Sequence, residues 1–105
     1  MINNNQKIYS FIALAMRAGK VVSGDDTTLK ELKKGKVHLV IVADDASDNT
    51  KKLFKDKSAY RNINQICFST KAELGLSIGK SPRAVLGIKD KSLSQKILEL
   101  IEAKI

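Results

Sequence analysis

The segment from Val37 to Ala43 reads Val-His-Leu-Val-Ile-Val-Ala, almost unbroken in β-branched and apolar residues. A strand with one wet face alternates apolar and polar positions, whereas a run without alternation belongs to a strand covered on both faces. The rest of the chain must therefore supply two covering layers, and its periodicity does so.

From Gln6 to Ala18 the residues Ile8, Phe11, Ile12, Leu14 and Ala15 recur at intervals of three and four, which predicts a helix that Gly19 stops. Val21 and Val22 give a short strand. The turn Ser23-Gly24-Asp25-Asp26 then leads with cap residues into a second helix that runs to Lys34 and ends at Gly35. After the central strand, Ser47 is expected to cap a third helix reaching about Ala59, with Leu53 and Phe54 as its apolar pair. Asn64 to Phe68 forms the next strand. Thr70 with Glu73 has the form of a capping box for a fourth helix through Leu74 and Ile78, closed by Gly79. Ala84 to Ile88 makes a last strand, and Ser92 with Gln95 is expected to cap a final helix buried through Leu93, Ile97, Leu98 and Ile101.

The predicted order is α-β-α-β-α-β-α-β-α, an α/β chain folding as a three-layer α/β/α sandwich around a central mixed sheet of about four strands. With 105 residues, 43% of them hydrophobic, the chain can fill one core and is expected to be a single domain over 1–105. No apolar run approaches the length needed to span a bilayer. The start, with Asn3, Asn4, Asn5 and Gln6, lacks the basic and apolar regions of a secretion signal, so a cytoplasmic protein that avoids membranes is expected. A monomer is expected as well.

Catalytic groups are scarce. Cys67 is the only cysteine, which forbids an internal disulfide and argues against a thiolate zinc site; between Ile66 and Phe68 it reads as a buried small residue. His38 is the only histidine, and at a strand start it reads as packed or hydrogen-bonded, so no His-based triad can be assembled. Asp44 and Asp45 end the central strand where carboxylates can hold magnesium, and a magnesium-dependent receiver-like or phosphoryl-transfer domain is the alternative they support. Against it, no second Asp ends a later strand in the receiver arrangement. The plainer reading makes the pair a turn that biases the next helix start with negative charge. Neither GxxxxGK[ST] nor GxGxxG occurs, so nucleotide hydrolysis and dinucleotide binding lack support. The expectation is a protein without catalytic residues, metal or cofactor.

Charge points elsewhere. Nineteen Lys and Arg face eleven Asp and Glu, a net +8 that attracts polyanions, nucleic acid first and an acidic protein partner second. Two basic clusters flank glycine turns. In the first, Lys20, Lys30, Lys33, Lys34 and Lys36 surround the turn at Gly24, where free backbone N–H groups of a helix start suit phosphate. Lys30 and Lys34 lie one helical turn apart and share a face. Asp25 and Asp26 repel phosphate there but can accept hydrogen bonds from base amino and imino groups. The second cluster is the loop Lys80-Ser81-Pro82-Arg83, stiffened by its proline, with Lys71 nearby. With five aromatic residues in all, stacking on a sheet is a poor route to recognition, and contact with the shape and backbone of a structured RNA fits better.

Taken in order, Gly19-Lys-Val-Val-Ser-Gly24, Leu29-Lys30, Gly35-Lys-Val-His-Leu-Val-Ile-Val-Ala43, Asp45, Leu74-Gly75, Gly79-Lys80 and the closing strand before Asp90 resemble the L7Ae/L30e ribosomal-protein family. Within that family the chain most resembles the bacterial YlxQ-type branch. The resemblance implies the three-layer sandwich. It also implies binding of kink-turn RNA, ribosomal or similar, with the turn before the second helix entering the bend and the loop before the last strand covering a protruding nucleotide. Gly24 and Lys30 match the family's Gly and Lys, while Asp26 and Thr27 stand where it has Asn and Glu. Thr27 lacks the charge with which that Glu contacts tandem G·A pairs. The loop from Lys80 to Arg83 is shorter and more basic than its counterpart in strict kink-turn binders. The site expected from residues and resemblance together is Lys20, Gly24, Asp25, Asp26, Thr27, Lys30, Lys33, Lys34, Lys80, Ser81, Pro82 and Arg83.

Overall fold

The computed structural model describes residues 4–103; Asn3, part of the polar start, lies outside them. Nine elements follow in the expected order: α1 (Asn4–Arg17), β1 (Val21–Ser23), α2 (Asp25–Lys33), β2 (Leu39–Val42), α3 (Asp48–Tyr60), β3 (Asn64–Cys67), α4 (Lys71–Ser77), β4 (Val85–Ile88) and α5 (Lys91–Glu102). The four strands form one mixed sheet in the order β1-β4-β2-β3. β4 runs antiparallel to both β1 and β2, and β3 runs parallel to β2. Helices α2 and α3 pack on one face, with α1, α4 and α5 on the other. This is the α/β/α sandwich the central strand demands.

All four residues of β2 are buried, as are all four of β4, because both strands lie inside the sheet between two helical layers. Ile8, Ile12 and Ala15 of α1, with Ile97 and Ile101 of α5, close one layer; Leu32 and Phe54 close the other. Phe54 is wholly buried, and truncating such a side chain to alanine costs about 3–5 kcal/mol. Gly87 lets α2 come close, since a Cβ there would lie 2.9 Å from Val22 Cγ2 and 3.2 Å from Thr28 Cγ2.

Four local readings change. Cys67 is exposed rather than buried, because β3 is the sheet's edge strand and Phe68, next along, carries the apolar contact instead. The His38 side chain is exposed; its residue precedes β2, and only its backbone N–H is engaged, donating to the Ile88 carbonyl at 2.8 Å. The second helix starts from Gly24, which caps without a side chain, so Asp25 and Asp26 occupy its first turn. The cap of α5 is Asp90, whose Oδ1 accepts the Leu93 N–H at 2.7 Å, and Ser92 falls inside the first turn. Aspartate on extended backbone is as strong a cap as serine and comes earlier in the chain. The Ser47 and Thr70 caps are found as expected, accepting from Thr50 N and Glu73 N.

Replacing Asp90 by alanine is expected to cost about 1 kcal/mol and lower the melting midpoint by about 4–8 °C, whereas Ser92→Ala stays within about 0.5 kcal/mol. Thermal melts followed by circular dichroism distinguish the two, and equal shifts would restore the Ser92 cap.

Candidate nucleic-acid interface

The antiparallel pairing of β1 with β4 sets Ser23 opposite Leu86, so the chain leaving β1 and the chain entering β4 meet at one pole of the sandwich. Two bonds join them. Gly24 N–H donates to the Val85 carbonyl at 3.1 Å, and Arg83 Nε donates to Ser23 Oγ at 3.1 Å. Arg83 also gathers its own loop, with Nη1 donating to Ser81 Oγ at 2.8 Å and to the Pro82 carbonyl at 3.2 Å. The two glycine-flanked segments singled out in the sequence therefore form one continuous rim. Within it Arg83 is half-buried and acts as the tie, while Lys80, Ser81 and Pro82 are exposed.

Gly24 sits at φ 87°, ψ 155°, a conformation that residues with a Cβ rarely adopt. With no capping side chain at this position, the first-turn N–H groups of α2 face outward beside the loop. Asp25, Asp26 and Thr27 are exposed on this helix start, and Lys30 is exposed further along, where the last turn of α2 begins. The Asp25 carboxylate is turned aside: its Oδ2 accepts from Thr50 Oγ1 at 3.1 Å, while Ser47 Oγ donates to the same Thr50 oxygen at 3.0 Å. That chain of bonds fixes the α3 start against the α2 start.

Beneath the loop lies Gly75 of α4. A Cβ there would overlap the Ser81 carbonyl oxygen and lie 2.9 Å from that of Lys80. Lys80 N–H donates to the Gly75 carbonyl at 2.8 Å, and Arg83 N–H to that of Lys71 at 3.0 Å. Neither Gly75 nor Thr50 stands out in the sequence as part of the site. Gly75 within a helical pattern was the available signal, since glycine there costs about 1 kcal/mol against alanine and so invites a reason such as close packing.

Asp44 and Asp45 border the same pole but are not arranged as a metal site. Asp45 Oδ1 accepts the Lys71 N–H at 2.8 Å, so its carboxylate caps α4 rather than biasing α3. Among the described residues no group of three or more potential ligands converges. Lys20, Lys33 and Lys34 are not brought to the rim. Lys20 precedes β1, and the other two end a nine-residue helix about 13 Å long that starts at the rim. They are exposed at the opposite pole, where Lys34 lies 3.7 Å from Glu31 and Lys89 lies 3.1 Å from it. The hydrogen bond from Lys89 holds the Glu31 carboxyl below its usual range, and the charges of Lys89, Lys34 and Lys36 add to this against partial desolvation.

The rim and the sandwich beneath it define an α/β/α scaffold that presents an open helix start beside a tied basic loop. The chain belongs to the Ribosomal protein L7Ae/L30e/S12e/Gadd45 family, whose model matches residues 6–98. It is 46% identical over 99 residues to RNA-binding protein YlxQ of Enterococcus faecium, covering 94% of this chain and 95% of that one. To RNA-binding protein YlxQ of Bacillus subtilis it is 37% identical, covering 90% and 94%. A solved protein of unknown function from Bacillus halodurans C superposes with a TM-score of 0.89 at 36% identity, over 91% of this chain and 97% of that one. The Giardia lamblia 15.5kD RNA binding protein shares the fold, with a TM-score of 0.80 at 20% identity over 97% and 90%. No helix among the described residues is long and apolar enough to cross a membrane.

Gly75→Ala is expected to leave a folded protein but to unseat the loop from Lys80 to Arg83, at a cost of about 1–3 kcal/mol. Amide hydrogen exchange across 80–83 should quicken relative to β2, and unchanged protection there would show that the glycine is not the seat.

Proposed function

We propose that this chain is a non-catalytic RNA-binding domain of the cytoplasmic translation apparatus that grips a bent, kink-turn-like RNA with the rim at Gly24 and Arg83. The observation that carries this reading is the direct tie between the two loops, Arg83 Nε to Ser23 Oγ beside Gly24 N–H to the Val85 carbonyl. Two segments held in fixed relation can enter a bend from both sides, whereas independently mobile loops would lose that advantage to ordering entropy. Relatives at 46% and 37% identity that bear the name RNA-binding protein support the same partner. The magnesium-dependent alternative has no such support, because Asp45 is committed to the α4 cap.

In this reading the α2 N–H groups and Lys30 hold phosphate, Asp26 and Thr27 face base edges, and Lys80 to Pro82 cover a nucleotide turned out of the stack. Arg83 sets the loop's position. Carboxylates near the helix start keep the rim close to neutral: segments 23–30, 44–52 and 69–83 together carry six basic and six acidic residues. Shape and hydrogen bonding, rather than bulk charge, therefore do the selecting there.

Binding to an RNA containing an internal bulge between two paired arms should weaken about tenfold or more in Lys30→Ala with Arg83→Ala. The slope of log K against log salt should fall by about one for each phosphate that the variant no longer neutralises. Unchanged affinity in that double variant would remove the rim from the interface. For a kink-turn carrying tandem G·A pairs, Thr27→Glu is expected to tighten binding about tenfold, the worth of one good base contact at about 1–3 kcal/mol. No gain, or a weakening, would mean that α2 does not face those pairs.

A further inference from the structure

The positive charge of this protein is not at the rim. Helices α2 and α3 both start at the rim and run parallel to the opposite pole, where α1 also ends and β4 gives way to α5. There the segments 17–20, 31–36, 56–61 and 89–91 carry nine basic residues against three acidic ones. That surplus of six is most of the chain's net +8, while the rim's segments balance to zero. Three of the segments are joined directly, by Lys89 N–H donating to the Lys20 carbonyl at 2.7 Å and by Lys89 Nζ 3.1 Å from Glu31, while 56–61 ends α3, which packs beside α2.

The acidic groups at this pole are already engaged. Glu31 is shared by Lys34 and Lys89, Asp90 caps α5, and Asp56 lies 3.9 Å from Lys52. The α2 and α3 ends also add their helix dipoles' negative ends, which Lys33, Lys34, Lys36 and Lys57 more than offset. Tyr60, 83% exposed, projects from the end of α3 with the Arg61 guanidinium carbon 5.3 Å from its ring centre. A cleft of about 300 Å³ runs between Lys57, Tyr60 and Arg61, with Asp56 on its wall. The cations suit the phosphate backbone of a paired segment, and exposed Tyr60 offers its face to an unpaired base where a strand runs on past the duplex.

We propose that this basic pole is a second RNA-binding surface, which takes the phosphate backbone of a paired segment distinct from the one held at the rim. This deepens the RNA-binding reading and rests on it. The rim, neutral overall, reads a bent shape; the far pole, strongly positive, holds backbone without regard to sequence. The molecule thus clamps between two RNA segments, or between two arms of a folded one, held at opposite poles of the sandwich.

The test uses the full chain and two probes, a plain RNA duplex without bulge or loop and the RNA with an internal bulge between paired arms. Lys33→Gln, Lys36→Gln, Lys57→Gln and Arg61→Gln are combined in one variant, checked for an unchanged circular dichroism spectrum and melt. A second variant, Tyr60→Ala, leaves all charges in place. Wild type should bind the plain duplex with a steep salt dependence. The four-residue variant should bind it at least about tenfold more weakly, with a slope shallower by up to about 3.6, at about 0.9 for each phosphate no longer neutralised. Lys30→Ala with Arg83→Ala should leave duplex binding within about twofold while weakening the bulged RNA, and Tyr60→Ala should weaken an RNA with unpaired flanks more than the blunt duplex.

If the four-residue variant binds duplex as wild type does, the second surface is refuted while rim binding to bulged RNA can still stand. If polyglutamate displaces duplex from the pole at equal charge concentration and binds more tightly, the occupant is an acidic protein and the proposal is overturned. If wild type binds neither RNA at low salt, the RNA-binding reading itself falls, and this inference with it.

Discussion

Everything at the rim follows from the direction of one strand. β4 enters the sheet between β1 and β2 and runs against both. Were it parallel to them, as β3 is to β2, its preceding loop would emerge at the other pole, and the segment from Lys80 to Arg83 would never meet Gly24. The antiparallel ladder sets Ser23 against Leu86 and makes the Gly24–Val85 bond an extension of the sheet. The Arg83–Ser23 bond then needs no further device. A loop anchored to a buried strand is stiff because moving it would break the ladder beneath it.

The same geometry explains what could be read from the chain and what could not. The element order was legible because β2's unbroken apolar run and the glycines that stop helices are local signals, needing no partner to be recognised. The Gly24 and Arg83 segments were legible for the same reason: each pairs a glycine turn with basic residues close by in sequence. Lys20, Lys33 and Lys34 looked like their neighbours in sequence, yet a helix of nine residues carries its two ends about 13 Å apart, and Lys33 and Lys34 leave the rim with it. Cys67 was misread because burial of a strand residue depends on whether the strand is an edge, which strand order decides and local sequence does not. Asp90 and Ser92 compete for one cap, and only the backbone's turn into α5 selects between them.

Asp45 shows how a residue type can mislead about chemistry. A carboxylate at the end of a buried strand has the look of a metal ligand, but α4 begins 26 residues later with an unpaired N–H within reach, and the bond from Lys71 to Asp45 Oδ1 at 2.8 Å satisfies it. Asp25 is drawn off in the same manner by Thr50. Two of the acidic groups nearest the rim are thereby committed to holding helices in place, which lessens their repulsion of an approaching phosphate without removing their charge.

The proposed separation of a neutral reading surface from a charged holding surface has a physical logic. Long-range attraction falls off over a Debye length of about 8 Å at physiological salt, shorter than the roughly 13 Å that α2 spans from the rim to Lys33, so charge at one pole is weakened at the other. A strongly basic rim would bind any RNA backbone and gain little from a match in shape, because affinity without discrimination is what phosphate contacts supply. A rim with balanced charge must instead satisfy its hydrogen bonds against a partner of the right shape, and a mismatch leaves polar groups unpaired at about 1–3 kcal/mol each. In the proposed two-surface reading, attraction placed at the far pole raises the local concentration of RNA without blunting that discrimination. In the proposed RNA-binding reading, the balance between Asp25 and Asp26 at the rim and Lys30 further along α2 is part of how the fold selects, not a defect in a basic protein.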